Sequence, residues 1–231
     1  MIWHFFTSTK SERESDSQAY HVWVQPLVYT LIDLLLDHRG FPGTHYLFIF
    51  FCRLGAHKIT DTAQEIGVEK IIMHESYQSP IGLAHDIALL KLRDSAQLGV
   101  GVGLVCLPDL GNALVLDKRC YITGWGTLAS GGSQPLYLQE ASVPIVSDEQ
   151  CKSSYGSNNI HESMICAGLD AGGVDACQGD SGGPMVCEFG GKWYLEGATS
   201  WGYGCAAPNY YGVYAKVRNM KNWVVDKMSN N

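Results

Sequence analysis

The sequence predicts an all-β, barrel-like protein closed by a C-terminal α-helix. Three observations carry this. Short apolar segments recur along the chain, each bounded by Gly, Pro, Ser or Asn, the pattern of brief strands joined by turns. Glycine is abundant, at 26 of 231 residues, which suits many tight connections. Eight cysteines in such a chain favour disulfides and an oxidising compartment. With 46% hydrophobic and only 17% charged residues, the chain has material for a substantial core and too little charge for general disorder.

The elements follow in chain order. Residues 1–52 show no clean strand or helix period and end in the apolar run Tyr46-Leu47-Phe48-Ile49-Phe50-Phe51. From Arg53 the text changes. Glu65 to Met73 puts Ile66 and Val68, and more loosely Ile71 and Met73, in strand-like positions. Asp86-Ile87-Ala88-Leu89-Leu90-Lys91-Leu92 has buried-strand length. Tyr121 to Gly126, Leu138 to Val146, Pro184 to Cys187, Trp193 to Trp201 and Tyr211 to Val217 complete the predicted strands. Ser147-Asp148-Glu149-Gln150 has capping-box spacing, so a short helix is predicted through Lys152. Val217, Met220, Trp223, Val224 and Met228 recur at helical intervals, predicting an amphipathic helix over Lys216 to Met228.

Charge and spacing exclude some functions. The net charge is −7 and no basic block occurs, which argues against nucleic acid as a partner. There is no C-x-x-C and no Cys/His pairing at zinc spacing, so neither a metal nor another cofactor is expected. The apolar stretch Val22 to Leu36 is broken by Gln25, Pro26 and Asp33, too short for a membrane span. No signal peptide is recognisable at Met1 to Phe6. The cysteine count alone leaves about a hundred connectivities open.

The most specific chemistry lies in Gly179-Asp180-Ser181-Gly182-Gly183-Pro184. A serine between glycines can be approached from both sides, with unobstructed backbone N–H groups beside it, as acyl transfer requires. A Gly-rich turn is the plainer reading of a bare Gly-x-Ser pattern. The length of the run, with Asp180 inside it and Cys177 just before, distinguishes it. It resembles the active-site serine segment of the trypsin/chymotrypsin family of serine proteases. Arg53-Leu54-Gly55-Ala56-His57, Val105-Cys106-Leu107-Pro108, Ile122-Thr123-Gly124-Trp125-Gly126, Ser200-Trp201-Gly202 and Gly212-Val213-Tyr214 extend the resemblance from about Arg53 to Met228.

That resemblance implies a double β-barrel with a triad in the order His, Asp, Ser. It implies Ser181 as nucleophile, Asp86 as the carboxylate that orients the histidine, and Gly179 and Ser181 as oxyanion-hole donors. Asp175 matches the floor of the specificity pocket, where a carboxylate favours Arg or Lys before the cut. Gly202 and Gly212 match its walls, Ser200 a serine beside Asp86, and Trp201 a substrate-contact position. Tyr211 matches a position where Tyr often accompanies sodium binding. The implied disulfides are Cys120–Cys187, Cys151–Cys166 and Cys177–Cys205. Cys106 matches a cysteine that tethers a propeptide in two-chain relatives, and Cys52 has no counterpart. Implied partners are protein or peptide substrates with Arg or Lys before the cut and proteinaceous inhibitors, in an extracellular setting.

The chain departs from the family in its first part. The Ala-Ala-His-Cys segment, a Cys-Gly-Gly-Ser-Leu segment and an Ile-Val-Gly-Gly start are not found. His57 belongs to a downstream stretch, and His74, His85 and His161 do not match the catalytic position. By spacing alone His38 or His45 could serve as base. The expected organisation is therefore a non-family segment, 1–52, mistranslated or disordered, then a protease domain, 53–231. Within that domain, 53–112 forms an incomplete first barrel and 113–231 a complete second barrel with the terminal helix. The expected function is a trypsin-like serine endopeptidase by descent, nearly inert in this chain. The alternative is an inactive homologue that binds proteins.

Overall fold

The computed structural model describes residues 51–61, 64–108, 111 and 113–231, together with the backbone of residues 3–6. Two sheets carry the described chain. The first has the order β1-β4-β3-β2, formed by β1 (Trp3–Phe6), β2 (Phe51–Leu54), β3 (Gln64–Met73) and β4 (Ala88–Leu92). β3 pairs antiparallel with β2 and β4, whereas β1 runs parallel to β4. Cys52, Leu54, Ile66, Ala88, Leu90, Leu92 and Val102 pack as its core. In β2, Phe51 and Cys52 sit in register opposite Gly67 and Ile66, so the strand starts two residues before the change of pattern at Arg53.

The second sheet curls into a half-barrel of six strands in the order β6-β5-β8-β9-β10-β7. Its members are β5 (Arg119–Gly124), β6 (Gln139–Pro144), β7 (Met164–Ala167), β8 (Pro184–Phe189), β9 (Lys192–Trp201) and β10 (Gly212–Lys216). All its pairings are antiparallel. β8 and β9 form a hairpin whose two central residues, Gly190 and Gly191, both have positive φ, at 58° and 75°. Glycine meets that demand without a Cβ clash, and such a turn matches the right-handed strand twist. β7 escaped the sequence pattern because Met164-Ile165-Cys166-Ala167 is buried at every position and shows no alternation.

Helix Asp148–Tyr155 begins with the predicted capping box. Ser147 Oγ accepts from Gln150 N at 3.1 Å, and Gln150 Oε1 accepts from Ser147 N at 3.2 Å. The helix outruns the predicted end at Lys152 because Tyr155 is buried and anchors its last turn. Helix Val217–Asn230 buries Val217, Met220 and Val224 against Ile87, Val105, Leu107 and Leu195, joining the two sheets in one core. Three disulfides form, Cys120–Cys187, Cys151–Cys166 and Cys177–Cys205, the pairs implied by resemblance. Cys52 and Cys106 are buried and lie outside these three bridges, and burial pushes the Cys52 pKa up to about 12.

One charged pair lies inside. Arg218, on the terminal helix, meets Glu196 of β9 through Nε at 3.1 Å and Nη2 at 2.7 Å. The Glu196 side chain is 1% exposed. Removing one partner of such a pair strands a desolvated charge. Glu196→Leu is therefore expected to cost about 3–5 kcal/mol, read as a lower midpoint in urea unfolding.

Candidate active site

The loop between Asp175 and Gly183 is built around one carboxylate. Asp180 Oδ1 accepts from Gly126 N at 2.8 Å and Oδ2 accepts from Cys177 N at 2.9 Å. A Cβ on Gly124 or Gly126 would overlap that carboxylate, so the tip of β5 must be glycine for Asp180 to reach it. Burial raises the Asp180 pKa, and the two amide donors oppose that rise. The loop is then clamped to β9. Gly182 N donates to Thr199 O, and Thr199 N donates to Gly183 O, both at 2.9 Å. Gly179 and Gly182, at φ 97° and 80°, make the bends that leave Ser181 exposed. Among the described residues, neither the Gly179 nor the Ser181 N–H donates a hydrogen bond.

Asp86 reaches the same place from the first sheet. It sits just before β4, where His85 takes a positive φ of 52° and Ile87 N donates to His85 O at 2.8 Å. This turn explains why β4 starts at Ala88 and not at Asp86. Asp86 is 1% exposed, and Ser200 Oγ donates to its Oδ2 at 2.6 Å. Thr199 holds the Ser181 loop and its neighbour Ser200 holds Asp86, so one corner of β9 brings both together.

Asp175 lies on the other side of the loop. Its Oδ1 accepts from Ala176 N at 2.8 Å and its Oδ2 from Ala206 N at 3.1 Å. Burial, the largest influence, pushes its pKa up, which the two amides oppose. The neighbouring walls are kept low. A Cβ on Gly212 would lie 2.6 Å from Asp175 Oδ1 and 2.8 Å from Tyr214 Oη, whereas Gly202 meets only Tyr155 Oη at 3.7 Å and Tyr211 O at 3.8 Å. The Cys177–Cys205 bridge ties the two sides of this region. Trp201 packs edge-on against Tyr155 at 4.7 Å between ring centroids. Tyr211 Oη donates to Asp170 Oδ1 at 2.7 Å. Sequence reasoning missed Tyr214, which is fully buried beside Asp175. The Gly-Val-Tyr segment was its only signal.

The described histidine side chains are engaged elsewhere. His57 is exposed and its ring lies 5.5 Å from that of Tyr137. The Nδ1 atoms of His74, His85 and His161 bond to Ser76, Ser79 and Ser163 respectively. Among the described histidine side chains, none therefore gives Nδ1 to a carboxylate. His38 and His45 lie outside the described residues.

This site coincides with a known pattern: the family model described as Trypsin matches residues 49–224. The chain belongs to the trypsin family of serine proteases. Trypsin-1 of Astacus astacus is 46% identical over 161 residues, covering 70% of this chain and 67% of that protein. Trypsin of Xenopus laevis is 45% identical over 183 residues, or 78% of this chain and 72% of that one. Coagulation factor XI of Bos taurus is 37% identical over 174 residues, though these are only 28% of its length. The trypsin match starts at residue 49, before Arg53, in keeping with the register of β2.

Proposed function

We propose that the chain is a trypsin-type serine endopeptidase by design, selective for Arg or Lys before the cut, with hydrolysis limited by its base. The observation that carries this is the pairing of an exposed Ser181 with a half-buried Asp175 anchored by two backbone amides on one loop. Asp175 would draw in a long cation between Gly202 and Gly212 and pay its own desolvation only when unpaired. Trp201 would flank the bound peptide. Ser181 Oγ would then attack the carbonyl carbon and pass its proton to an imidazole, with the Gly179 and Ser181 N–H groups stabilising the oxyanion. The same proton would leave with the amine as the C–N bond breaks, and water would release the acyl group. Asp86, held by Ser200, would orient an imidazole, and His38 or His45 is the candidate for it. Three disulfides and the trypsin relatives favour an extracellular protein whose partners are peptide substrates and proteinaceous inhibitors.

A second reading has one observation in its favour. The described imidazoles make other contacts through Nδ1, which suits a homologue that captures a basic peptide without cutting it. A fluorophosphonate probe separates the two. Slow labelling that is lost in Ser181→Ala supports the endopeptidase reading. Binding of an arginine analogue with no labelling favours capture, and equal labelling of Ser181→Ala removes Ser181 from its role.

A further inference from the structure

Away from Ser181, three histidines from two remote segments stack in a row. The His74 and His85 rings are 4.8 Å apart and nearly parallel, at 19°, and His85 meets His161 at 5.0 Å. Trp223 of the terminal helix closes the row, its ring 4.8 Å from His74. All four are half-buried. The row thus ties the loop 74–85, which runs straight into Asp86, to residues 161–163 and to the terminal helix.

Hydrogen bonding fixes how this row carries protons. Ser76 N donates to His74 Nδ1 at 3.1 Å, and Ser163 N donates to His161 Nδ1 at 3.2 Å. A nitrogen that accepts an amide N–H must hold a lone pair, which puts the proton of the neutral ring on Nε2 in both. Protonating His74 Nδ1 would set two donors face to face. His85 is opposite in sense: its Nδ1 faces the Ser79 carbonyl at 3.0 Å and therefore donates. Ser163 joins the segments. Its buried Oγ accepts from His85 N at 2.9 Å and lies 2.9 Å from His161 Nδ1, to which its proton is directed.

We propose that His74, stacked on His85 and through it on His161, is the proton-operated member of a clasp that positions the loop delivering Asp86 and loosens it as pH falls below neutrality. The charges around the clasp support this sense. Burial, His85 and Lys227 all disfavour a proton on His74 and lower its pKa, while Glu75 opposes them. Glu75 is itself committed, accepting from Trp223 Nε1 at 2.7 Å and pairing with Lys227. Asp86 follows His85 directly and is held by Ser200, and Glu162, next to His161, is exposed. A base whose pKa is lowered by folding binds its proton more readily in the unfolded chain. The stability it contributes is present above the ordinary histidine value of about 6.5 and is lost as pH falls from there through the lowered value. The clasp does not depend on whether the chain hydrolyses peptides.

Asparagine tests it without breaking it. Its Oδ1 can accept from the N–H two residues on, as both imidazoles do, and it does not titrate. Thermal unfolding of the full chain is compared with H74N between about pH 7.5 and 5.5, where the fall in midpoint is expected to shrink by roughly half or more. Nitrogen-15 spectra of the imidazoles at about pH 8, well above the ordinary histidine pKa, are expected to show Nε2–H tautomers for His74 and His161 and Nδ1–H for His85. An Nδ1–H tautomer at His74 or His161, an unchanged pH slope in H74N, or random-coil imidazole signals would each overturn the proposal.

Discussion

Hydrolysis of an arginine anilide by this chain is expected to run about 10⁶-fold below that of a trypsin with a complete triad, with KM changed far less. The asymmetry follows from which parts are in place. Asp175, Gly202 and Gly212 would bind the substrate cation, and the Gly179 and Ser181 amides are unoccupied among the described residues. Among the described residues no imidazole lies between Asp86 and Ser181, so a base would have to come from His38 or His45. The Nδ1 atoms of His74, His85 and His161 bond to serines, and His57 lies against Tyr137. Serine without a base remains protonated and weakly nucleophilic, leaving roughly 10³–10⁴ over water from binding and the oxyanion amides. Steady-state kinetics of the chain and of its His38→Ala and His45→Ala variants check this. A turnover within about 100-fold of a complete trypsin would refute it, and the variant that abolished that turnover would identify the base.

Asp175→Asn is expected to weaken binding of 4-aminobenzamidine by about 10²-fold or more, read from the fluorescence of the bound probe. The side chain keeps its shape but loses the charge that meets the amidinium. One of its new N–H groups also faces the Ala176 or Ala206 amide, a donor against a donor. Acid should act on the wild type in the same direction. Cation binding needs the ionised carboxylate, and burial raises the Asp175 pKa. Affinity should therefore begin to fall at a higher pH than an exposed aspartate would give, and Asp175→Asn should lack this dependence. An unchanged dissociation constant in Asp175→Asn would mean that the cation sits elsewhere.

Much of the fold was legible because it is written in local terms. In Glu65 to Met73 the expected positions Ile66, Val68 and Ile71 pack inward, but a register shift after Val68 breaks the alternation and Met73 is exposed. The helical recurrence from Val217 to Met228, by contrast, reflects one buried face. The capping box was readable because it needs only four consecutive residues. β7 was not, since a strand buried on both faces has no period to detect. The candidate site divides in the same way. Ser181 and its glycines are contiguous, so their bends and exposure follow from the text. Asp86 became interpretable only through resemblance, because its partner Ser200 lies on the other sheet. The histidine row was invisible, since it assembles from His74 and His85 on one loop and His161 far beyond them.

The seat of Asp180 also limits how this chain could vary over time. Any side chain at Gly124 or Gly126 would strike the Asp180 carboxylate. Change at the tip of β5 is thereby coupled to the Ser181 loop, 54 residues later. A single methyl at either glycine would therefore be felt in the loop that carries Ser181 more than in the strand that carries the methyl.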